Sequence, residues 1–375
     1  MLYHHSDKPY AEAASEAAAN ARTKLGQLID AGRNRAAAVI EKVQAEVPTD
    51  RIIRSSALNF ANRGGLEDRL TVQWNGEKPL ELHPHVLTQL AERSKLPSRF
   101  AEHLTDQGAW GLGLLAHNFN EILSRQNRRV LVRSVGDQVR GIMSDSFRRL
   151  DSRPLLEAFC SAAEKVGALP IEGYALETKI AIKAILPMIF EPVPNEVMAF
   201  GLTFGNSDFA DGALSIRVFM LRLWCTNYAI TDEALRQVHL GGKLPDDVGF
   251  SDQTYRLDTA RSASMVNDIV LGELSPEKVE AACSMIRTAN DQKVAPGEIK
   301  TFLERHVTKT EGKQISEAFA SADVVNLPAG QTSWRFSNAI SWIAGQTGNQ
   351  DRKLDLMKVA ALALPAGGAL HAGRN

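Results

Sequence analysis

The chain is poor in cysteine, and the three that it has, Cys160, Cys225 and Cys283, lie far apart in 375 residues. No two of them form a C-x-x-C pair, which excludes a zinc site of the paired-cysteine type, and an odd number argues against a disulfide framework. We therefore expect reduced thiols in a reducing compartment. A nucleophilic Cys225 would need a histidine base such as His239, which the sequence does not place beside it.

The sequence also lacks a long apolar run. No stretch approaches the length of a membrane span, and residues 1–21 do not have the basic and then apolar layout of a signal peptide. We expect a cytoplasmic protein with no membrane partner.

The common motifs of enzymes are missing as well. The chain contains no P-loop, no G-x-S-x-G and no H-E-x-x-H sequence, so we predict no catalytic residue, no cofactor and no metal site. Gly111 to Ala116 matches the relaxed dinucleotide fingerprint G-x-G-x-x-A, but a helix end and a loop are predicted before it, where the fingerprint needs a strand. His83 and His85 have no third ligand nearby, which favours loop histidines.

An excess of charge of either sign is absent. The net charge of -1 argues against strongly salt-dependent binding of nucleic acid over the whole surface, so any such binding must be confined to a patch.

Residues 121–153 suggest one such patch, because every basic residue in this stretch is an arginine and lysine does not occur. Planar guanidinium groups suit bidentate contacts to phosphate or carboxylate. The arginines of this stretch are Arg125, Arg128, Arg129, Arg133, Arg140, Arg148, Arg149 and Arg153.

The middle of this stretch predicts a β-hairpin. Apolar and basic residues alternate in RRVLVRS and again in QVRGIMS, and Gly136-Asp137 supplies the turn. In this register Arg133 and Arg140 share an open face. The alternative is that the arginines are solvated or paired with nearby acids. The residues predicted to face a core are Val130, Val132, Val139 and Ile142, and the nearby acids are Asp137, Asp145 and Asp151.

Two later segments also carry candidate binding residues. ALSIRVFMLRLWC places Arg217 and Arg222 in an apolar strand, where each guanidinium needs a carboxylate, carbonyl or phosphate partner. A structural pair with Asp208 or Asp211 is the alternative there. TSWRFSNAISWI predicts a helix on which aromatic and polar groups could stack on or hydrogen-bond a base, although aromatic residues on a helix are more often core. Its candidates are Trp334, Arg335, Asn338 and Trp342.

These patterns predict an α+β fold with an antiparallel sheet and flanking helices, a helical C-terminal third and an Ala-rich N-terminal helix. The predicted strands are RIIRSSALNF, LTVQW, the hairpin, TKIAIKAILP, VMAFGLTFGNS and ALSIRVFMLRLWC, with a change to helix near Thr226-Asn227. We expect a helical arm over residues 1–48, a core domain over residues 49–240 and a helical region packed on it over residues 241–375. The thin apolar stripe of the arm would either pack on the body of the protein or join copies into a homo-oligomer.

Three ordered motifs carry a resemblance. They are Ser144 to Phe147 before a helix, Asn206 to Gly212 leading into Arg222 to Asn227, and Trp334 to Ala339. In this order they resemble the phage/plasmid-like family built on domain of unknown function 932, over roughly residues 50–365. The resemblance implies a setting in mobile genetic elements, and it implies no activity because the family has no established one.

Two functional hypotheses of different classes remain. In the first, the protein binds nucleic acid, with single-stranded DNA favoured, and serves binding or annealing in the recombination or replication of a mobile element. In the second, it is an enzyme acting on a phosphorylated or nucleotide-like small molecule in a pocket lined by Arg217, Arg222 and the Ser144-Asp145 turn. An anti-defence protein acting through a protein partner is a third option, on which the sequence is silent. The residues predicted to bind nucleic acid are Arg125, Arg128, Arg129, Arg133, Arg140, Arg148, Arg149, Arg217, Arg222, Trp334 and Arg335.

Overall fold

The computed structural model describes residues 16–64, 68–194, 196–223, 227–237, 239, 250–321 and 327–365 of the chain. Two β-sheets form the framework, helices flank both sheets, and the C-terminal third is helical. The first described element is the long helix α1 (Glu16–Ala45). The predicted α+β class, with its N-terminal helix and helical C-terminal third, is therefore confirmed.

The first sheet has six strands from the N-terminal half of the chain. They are β1 (Thr49–Arg54), β2 (Leu58–Arg63), β3 (Arg69–Trp74), β4 (Leu80–Leu82), β5 (Arg129–Val135) and β6 (Gln138–Ser144). Their order is β1-β5-β6-β4-β3-β2, with β4 and β6 parallel and the other pairs antiparallel. Three helices cover its apolar face: α2 (Pro84–Arg93), α3 (Ser98–Asp106) and α4 (Gly108–Gln126).

The segment predicted as one strand from Arg51 to Phe60 is in fact two strands. A 3-10 turn at Ser55–Ala57 separates β1 from β2, which lie at opposite edges of the sheet. Ser55 holds this break, since its hydroxyl donates to the Leu123 carbonyl at 2.8 Å and accepts from the Arg128 amide at 3.0 Å. Both partners are distant in sequence, so the local pattern did not reveal the break.

Strands β5 and β6 form the predicted hairpin around Gly136-Asp137. A register shift beside Arg133 places an extra residue in β6, so the predicted core residues Val139 and Ile142 both face the core although they are three positions apart. The prediction of an open arginine face is wrong. Arg133 and Arg140 are 2% and 7% exposed, because carboxylates of β1 and of the segment just after α1, with carbonyls from the second half of the fold, cover them.

The second sheet is an antiparallel meander in the order β11-β10-β9-β8-β7. Its strands are β7 (Leu169–Ala175), β8 (Ile180–Ile185), β9 (Met198–Asn206), β10 (Leu214–Arg222) and β11 (Asn227–Gln237). Apolar side chains cover both faces, with the first half of α1 on one face and three helices, joined by Ala36 and Val39 of α1, on the other. The three helices are α5 (Ser152–Lys165), α6 (Asp252–Glu273) and α7 (Pro276–Asp291). The change to helix predicted near Asn227 is wrong, because pairing with β10 holds that segment as a strand.

Helix α1 lies along β7, and one glycine permits the close approach. A β-carbon on Gly32 would stand 2.3 Å from the backbone of Ile171, so a larger residue would push the helix off the sheet. The apolar stripe that suggested self-association, including Leu25 and Ile29, is buried against this sheet. This part of the stripe is thus occupied within the chain, as the packing alternative expects, and a homo-oligomer through these helices stays a prediction.

The C-terminal helices form a further apolar cluster. They are α8 (Pro296–His306), α9 (Lys309–Ala320), α10 (Ser333–Gln346) and α11 (Gln350–Leu362). Helix α10 is buried along most of its length and packs against α7, α9 and α11, because its Ser, Ala and Ile residues allow close contacts on several sides. No helix among the described residues is long and apolar enough to cross a membrane.

Of the cysteines, Cys160 is half-buried and Cys283 is buried. Burial raises the pKa of Cys160 to about 11 and that of Cys283 to about 12, so both thiols stay protonated at neutral pH. Cys225 lies outside the described residues.

Gly111 is inside α4, where a β-carbon would stand 1.9 Å from the Leu104 carbonyl oxygen. The glycine therefore permits packing of α3 on α4, and no strand precedes it as a dinucleotide fingerprint would require.

Candidate nucleic-acid interface

Arg133 is an interior residue that connects the first sheet to the second. Its Nε donates to Asp50 Oδ1 at 2.7 Å, Nη2 to Asp151 Oδ1 at 2.5 Å and Nη1 to the Asp208 carbonyl at 3.0 Å. Burial works against the charge, but the pKa of Arg133 stays above its ordinary value because Asp151, Asp50 and Asp208 surround it. All its donor nitrogens are engaged, and no phosphate could reach them in this arrangement.

Arg140 has a similar role between the first sheet and Glu46, the residue that follows α1. Its Nη1 donates to Glu46 Oε2 at 2.5 Å and to the Glu177 carbonyl at 3.1 Å, and its Nε donates to Gln138. The side chain is 9% exposed. Arg140 therefore follows the alternative in which the hairpin arginines are paired with acids. Its partners come from other parts of the chain, and not from the acids that are near in sequence.

Arg148 and Arg149 are half-buried and pair with carboxylates. Arg148 makes a bidentate contact to Asp258, at 2.8 and 2.6 Å. The guanidinium of Arg149 lies 4.0 Å from the ring centroid of Tyr255 and 3.2 Å from Asp50 Oδ2. Both groups join the segment before α5 to α6, where they stabilise the fold.

The candidates on β10 and α10 are also mostly interior. Arg222 forms a bidentate pair with Glu196, at 2.7 and 2.8 Å, and the fully buried Trp334 donates its indole N–H to the same carboxylate at 3.3 Å. Arg335 is buried and donates to three backbone carbonyls. Neither Trp334 nor Arg335 can meet a base or a phosphate here. Arg217 is half-buried in the middle of β10.

Arg217 and Arg222 do not share a pocket. The residues of β10 on the Arg222 side, such as Val218 and Met220, face the cluster under α5 to α7, whereas Phe219 and Leu221 face α1. Because side chains alternate along a strand, Arg217 and Arg222 point to opposite faces of the sheet. The convergence that would favour the small-molecule enzyme is therefore missing for these residues.

Two predicted residues, Arg125 and Arg128, remain exposed, the half-buried Arg129 lies beside them, and the fold adds two more arginines. Arg128 and Arg54 are exposed, Arg129 is half-buried, and Arg54 pairs directly with Arg129 across β1 and β5. Arg125 is 81% exposed in the last turn of α4. We call this set the arginine end of the first sheet: Arg54, Arg93, Arg125, Arg128 and Arg129.

The backbone of the arginine end is firmly held. Arg128 exchanges two hydrogen bonds with Ser55, through its amide at 3.0 Å and its carbonyl at 2.7 Å. Asn127 ends α4 in a left-handed conformation with φ 44°, and its side chain accepts from Ser56 at 2.6 Å. The arginine side chains thus project from a rigid corner where α4, β1 and β5 meet.

Positive charge exceeds negative charge at this corner. Asp145 lies 3.5 Å from Arg129, and Glu121 lies 3.1 Å from Arg125 on an exposed helix surface. Burial, followed by repulsion from Arg128, lowers the pKa of Arg93, against the attraction of Asp145. The Nε of Arg93 is buried without a hydrogen-bond partner within the described part of the chain. An anion at this corner would offset the repulsion between Arg93 and Arg128.

Sequence reasoning missed Arg54 and Arg93. Each stands alone among residues of other types, Arg54 at a strand end and Arg93 in the last turn of α2. The fold brings them to the hairpin through pairing of β1 with β5 and packing of α2 beside β6. The one local signal is that both are basic residues at element ends.

The acidic, histidine and cysteine side chains of the described ranges do not gather into a metal cluster. No group of three or more His, Cys, Asp or Glu side chains there could hold a metal ion. The Nε2 of His83 lies 2.8 Å from Glu177, and the Nε2 of His85 lies 3.0 Å from the Phe209 carbonyl, so the two rings have different partners.

Neither a family model, nor a curated protein, nor a solved structure matches the chain.

Proposed function

We propose that the protein binds nucleic acid, single-stranded DNA in particular, through the arginine end. The observation that carries this proposal is the excess of guanidinium groups at one rigid corner, with Arg54 directly opposite Arg129. Like charges placed opposite each other across two strands destabilise a sheet. Asp145 offsets part of the charge of Arg129, and a bound anion would offset the charge of the exposed Arg54 and Arg128.

The proposed contact is to the phosphate backbone. Exposed arginines bind phosphates by paired, charge-assisted hydrogen bonds, and these contacts set affinity without reading sequence. The guanidinium planes of Arg54 and Arg128 are exposed and could also stack on unpaired bases, which favours a single strand over a duplex. A role in the replication or recombination of a mobile element would agree with the resemblance of the sequence motifs to the phage/plasmid-like family.

The test is fluorescence anisotropy of a labelled single-stranded oligonucleotide, titrated with the wild-type chain and with Arg54→Ala/Arg128→Ala at several salt concentrations. We expect salt-sensitive binding that the double variant weakens. Loss of two phosphate contacts should lower the slope of log affinity against log salt by about 1.4 for a single strand. Both side chains are exposed and outside carboxylate pairs within the described residues, and Arg54 makes one exposed hydrogen bond to the Asn127 carbonyl at 3.3 Å, so the double variant should fold with little loss of stability.

The matched control is Arg153→Ala. Arg153 is 54% exposed on α5 and pairs with Glu157, as Arg125 pairs with Glu121, but it lies away from the arginine end. Arg153→Ala should bind as the wild type does, and Arg125→Ala should bind more weakly. Absence of binding at low salt, or equal weakening by Arg153→Ala, would contradict the proposal.

A further inference from the structure

A groove separates α8 from α9 on the C-terminal helices. It encloses about 590 Å³, and its floor consists of Ile299 and Leu303 from α8 with Phe319 from α9. The α9 wall is low because Gly312 and Ser316 are small. A β-carbon on Gly312 would meet its nearest neighbours at 3.6 and 3.7 Å, which is ordinary contact distance. The groove therefore has an apolar floor, whose side chains are 5–6% exposed, beside a low α9 wall.

The edge of this groove is positively charged. Lys300, Lys309 and Lys313 border it, against Glu304 as the bordering acid. Lys313 lies 3.8 Å from Glu317, and both of these side chains are mostly exposed, so this pair neutralises little.

The other acid of α9 is not available to neutralise these lysines. Glu311 accepts from Arg352 of α11 at 2.8 and 2.6 Å and from the Thr308 amide at 2.8 Å. Its hydrogen bond to Arg352 lowers the pKa of Glu311 to about 2. The carboxylate is thus charged and fully used within the fold. The acids left near the three groove lysines are the bordering Glu304 and the exposed Glu317, so positive charge is in excess at this edge.

We propose that this groove binds an amphipathic helix of a partner protein, with apolar residues on its inner face and acidic residues on both flanks. Apolar side chains would occupy the floor at Leu303 and Phe319, and carboxylates would approach Lys300 and Lys313. Such grooves select helices whose anchors repeat every three or four residues. Helix α9 has 12 residues, about 18 Å, which matches about three turns of a bound helix.

This proposal is independent of nucleic-acid binding. None of the arginine-end residues borders the groove, and the groove belongs to the C-terminal cluster whereas the arginine end belongs to the first sheet. A failure of either proposal therefore leaves the other to its own test.

The experiment uses the full chain and two labelled synthetic peptides of about 14 residues, a length that spans the groove. Both carry leucines at helical spacing on one face. The first has glutamates on its flanks, and the second has lysines at the same positions. By fluorescence anisotropy we expect the Leu/Glu peptide to bind at least about tenfold more tightly than the Leu/Lys peptide, a difference of about 1.4 kcal/mol.

Two variants locate the binding. Ser316→Trp fills the groove from an exposed position and should weaken the Leu/Glu peptide at least about tenfold. Lys300→Glu/Lys313→Glu should weaken it similarly and strengthen the Leu/Lys peptide. Lys165→Glu, an exposed position on α5, is the charge control and should change neither. Equal binding of the two peptides, no binding of either, or unchanged affinity in Ser316→Trp would overturn the proposal, and circular dichroism confirms that each variant is folded.

Discussion

Asp208 has the most perturbed carboxylate of the contact between the two sheets. Its Oδ1 accepts from the Ser152 amide at 2.7 Å and from the Ser152 hydroxyl at 2.8 Å. Dense packing raises the pKa of Asp208 to about 6, and repulsion by Asp151 acts in the same direction against the attraction of Arg133. The charged form is thus disfavoured in the folded protein relative to the unfolded chain.

This environment predicts a pH-dependent stability. Because the folded-state pKa lies above the ordinary value of 3.8, ionisation of Asp208 lowers the free energy of unfolding progressively between about pH 4 and pH 6. Asp208→Asn keeps an oxygen acceptor for Ser152 and removes the charge. We expect the variant to be more stable than the wild type at pH 7, by at most about 3 kcal/mol. Urea unfolding of both proteins between about pH 4 and pH 8 measures this difference; a difference that does not grow with pH would contradict the prediction.

At the scale of single elements, the two glycines of the G-x-G sequence in α4 have different surroundings. Gly111 is buried, and a β-carbon there would collide with the Leu104 carbonyl of α3. Gly113 is exposed, with nothing within 4 Å of its β-carbon position. One glycine therefore serves packing, and the other only weakens the helix.

This contrast gives a matched pair of variants. Gly111→Ala should destabilise the protein by about 1–3 kcal/mol, because α3 must move away from α4. Gly113→Ala should stabilise it by up to about 1 kcal/mol through helix propensity. Thermal unfolding of the two variants and the wild type measures these changes in stability. Equal effects of the two substitutions would show that the packing of α3 on α4 differs from the one described.

At the scale of the whole molecule, Arg133 joins the two sheets. It links Asp50 of β1 with Asp151 before α5 and with the loop between β9 and β10. Arg133→Met should destabilise the protein by about 1.5–3 kcal/mol, because Asp151 and the Asp208 carbonyl lose a charged donor, whereas Asp50 keeps Arg149 as a partner. Arg153→Met on the surface of α5 should change stability by less than about 0.5 kcal/mol.

Chemical denaturation followed by a double-mutant cycle with Asp151→Asn tests this assignment. Coupling of at least about 1 kcal/mol between Arg133→Met and Asp151→Asn is expected for groups in direct contact. Additive effects would mean that Arg133 does not hold the sheets together through Asp151.

Local periodicity explains which parts of the fold could be predicted. The hairpin at Gly136-Asp137 and the strands β8, β9 and β10 follow from alternation, and most C-terminal helices follow from helical spacing and Pro or Ser at their starts. Strand β11 could not be predicted, because its pairing with β10 and not its own pattern holds it extended. Ser55 broke a predicted strand through contacts with residues about seventy positions away.

The sequence by itself determined the α+β class, the hairpin and the presence of many arginines near it. Only the tertiary structure decided which of these arginines face solvent. Arg140 meets Glu46 across 94 positions and Arg148 meets Asp258 across 110, whereas Arg128 ends beside Arg54 and Arg93. The physical reason is that backbone periodicity is a local property of the chain. The partner of a guanidinium is the carboxylate that the fold brings within hydrogen-bond distance, and that carboxylate can be far away in sequence.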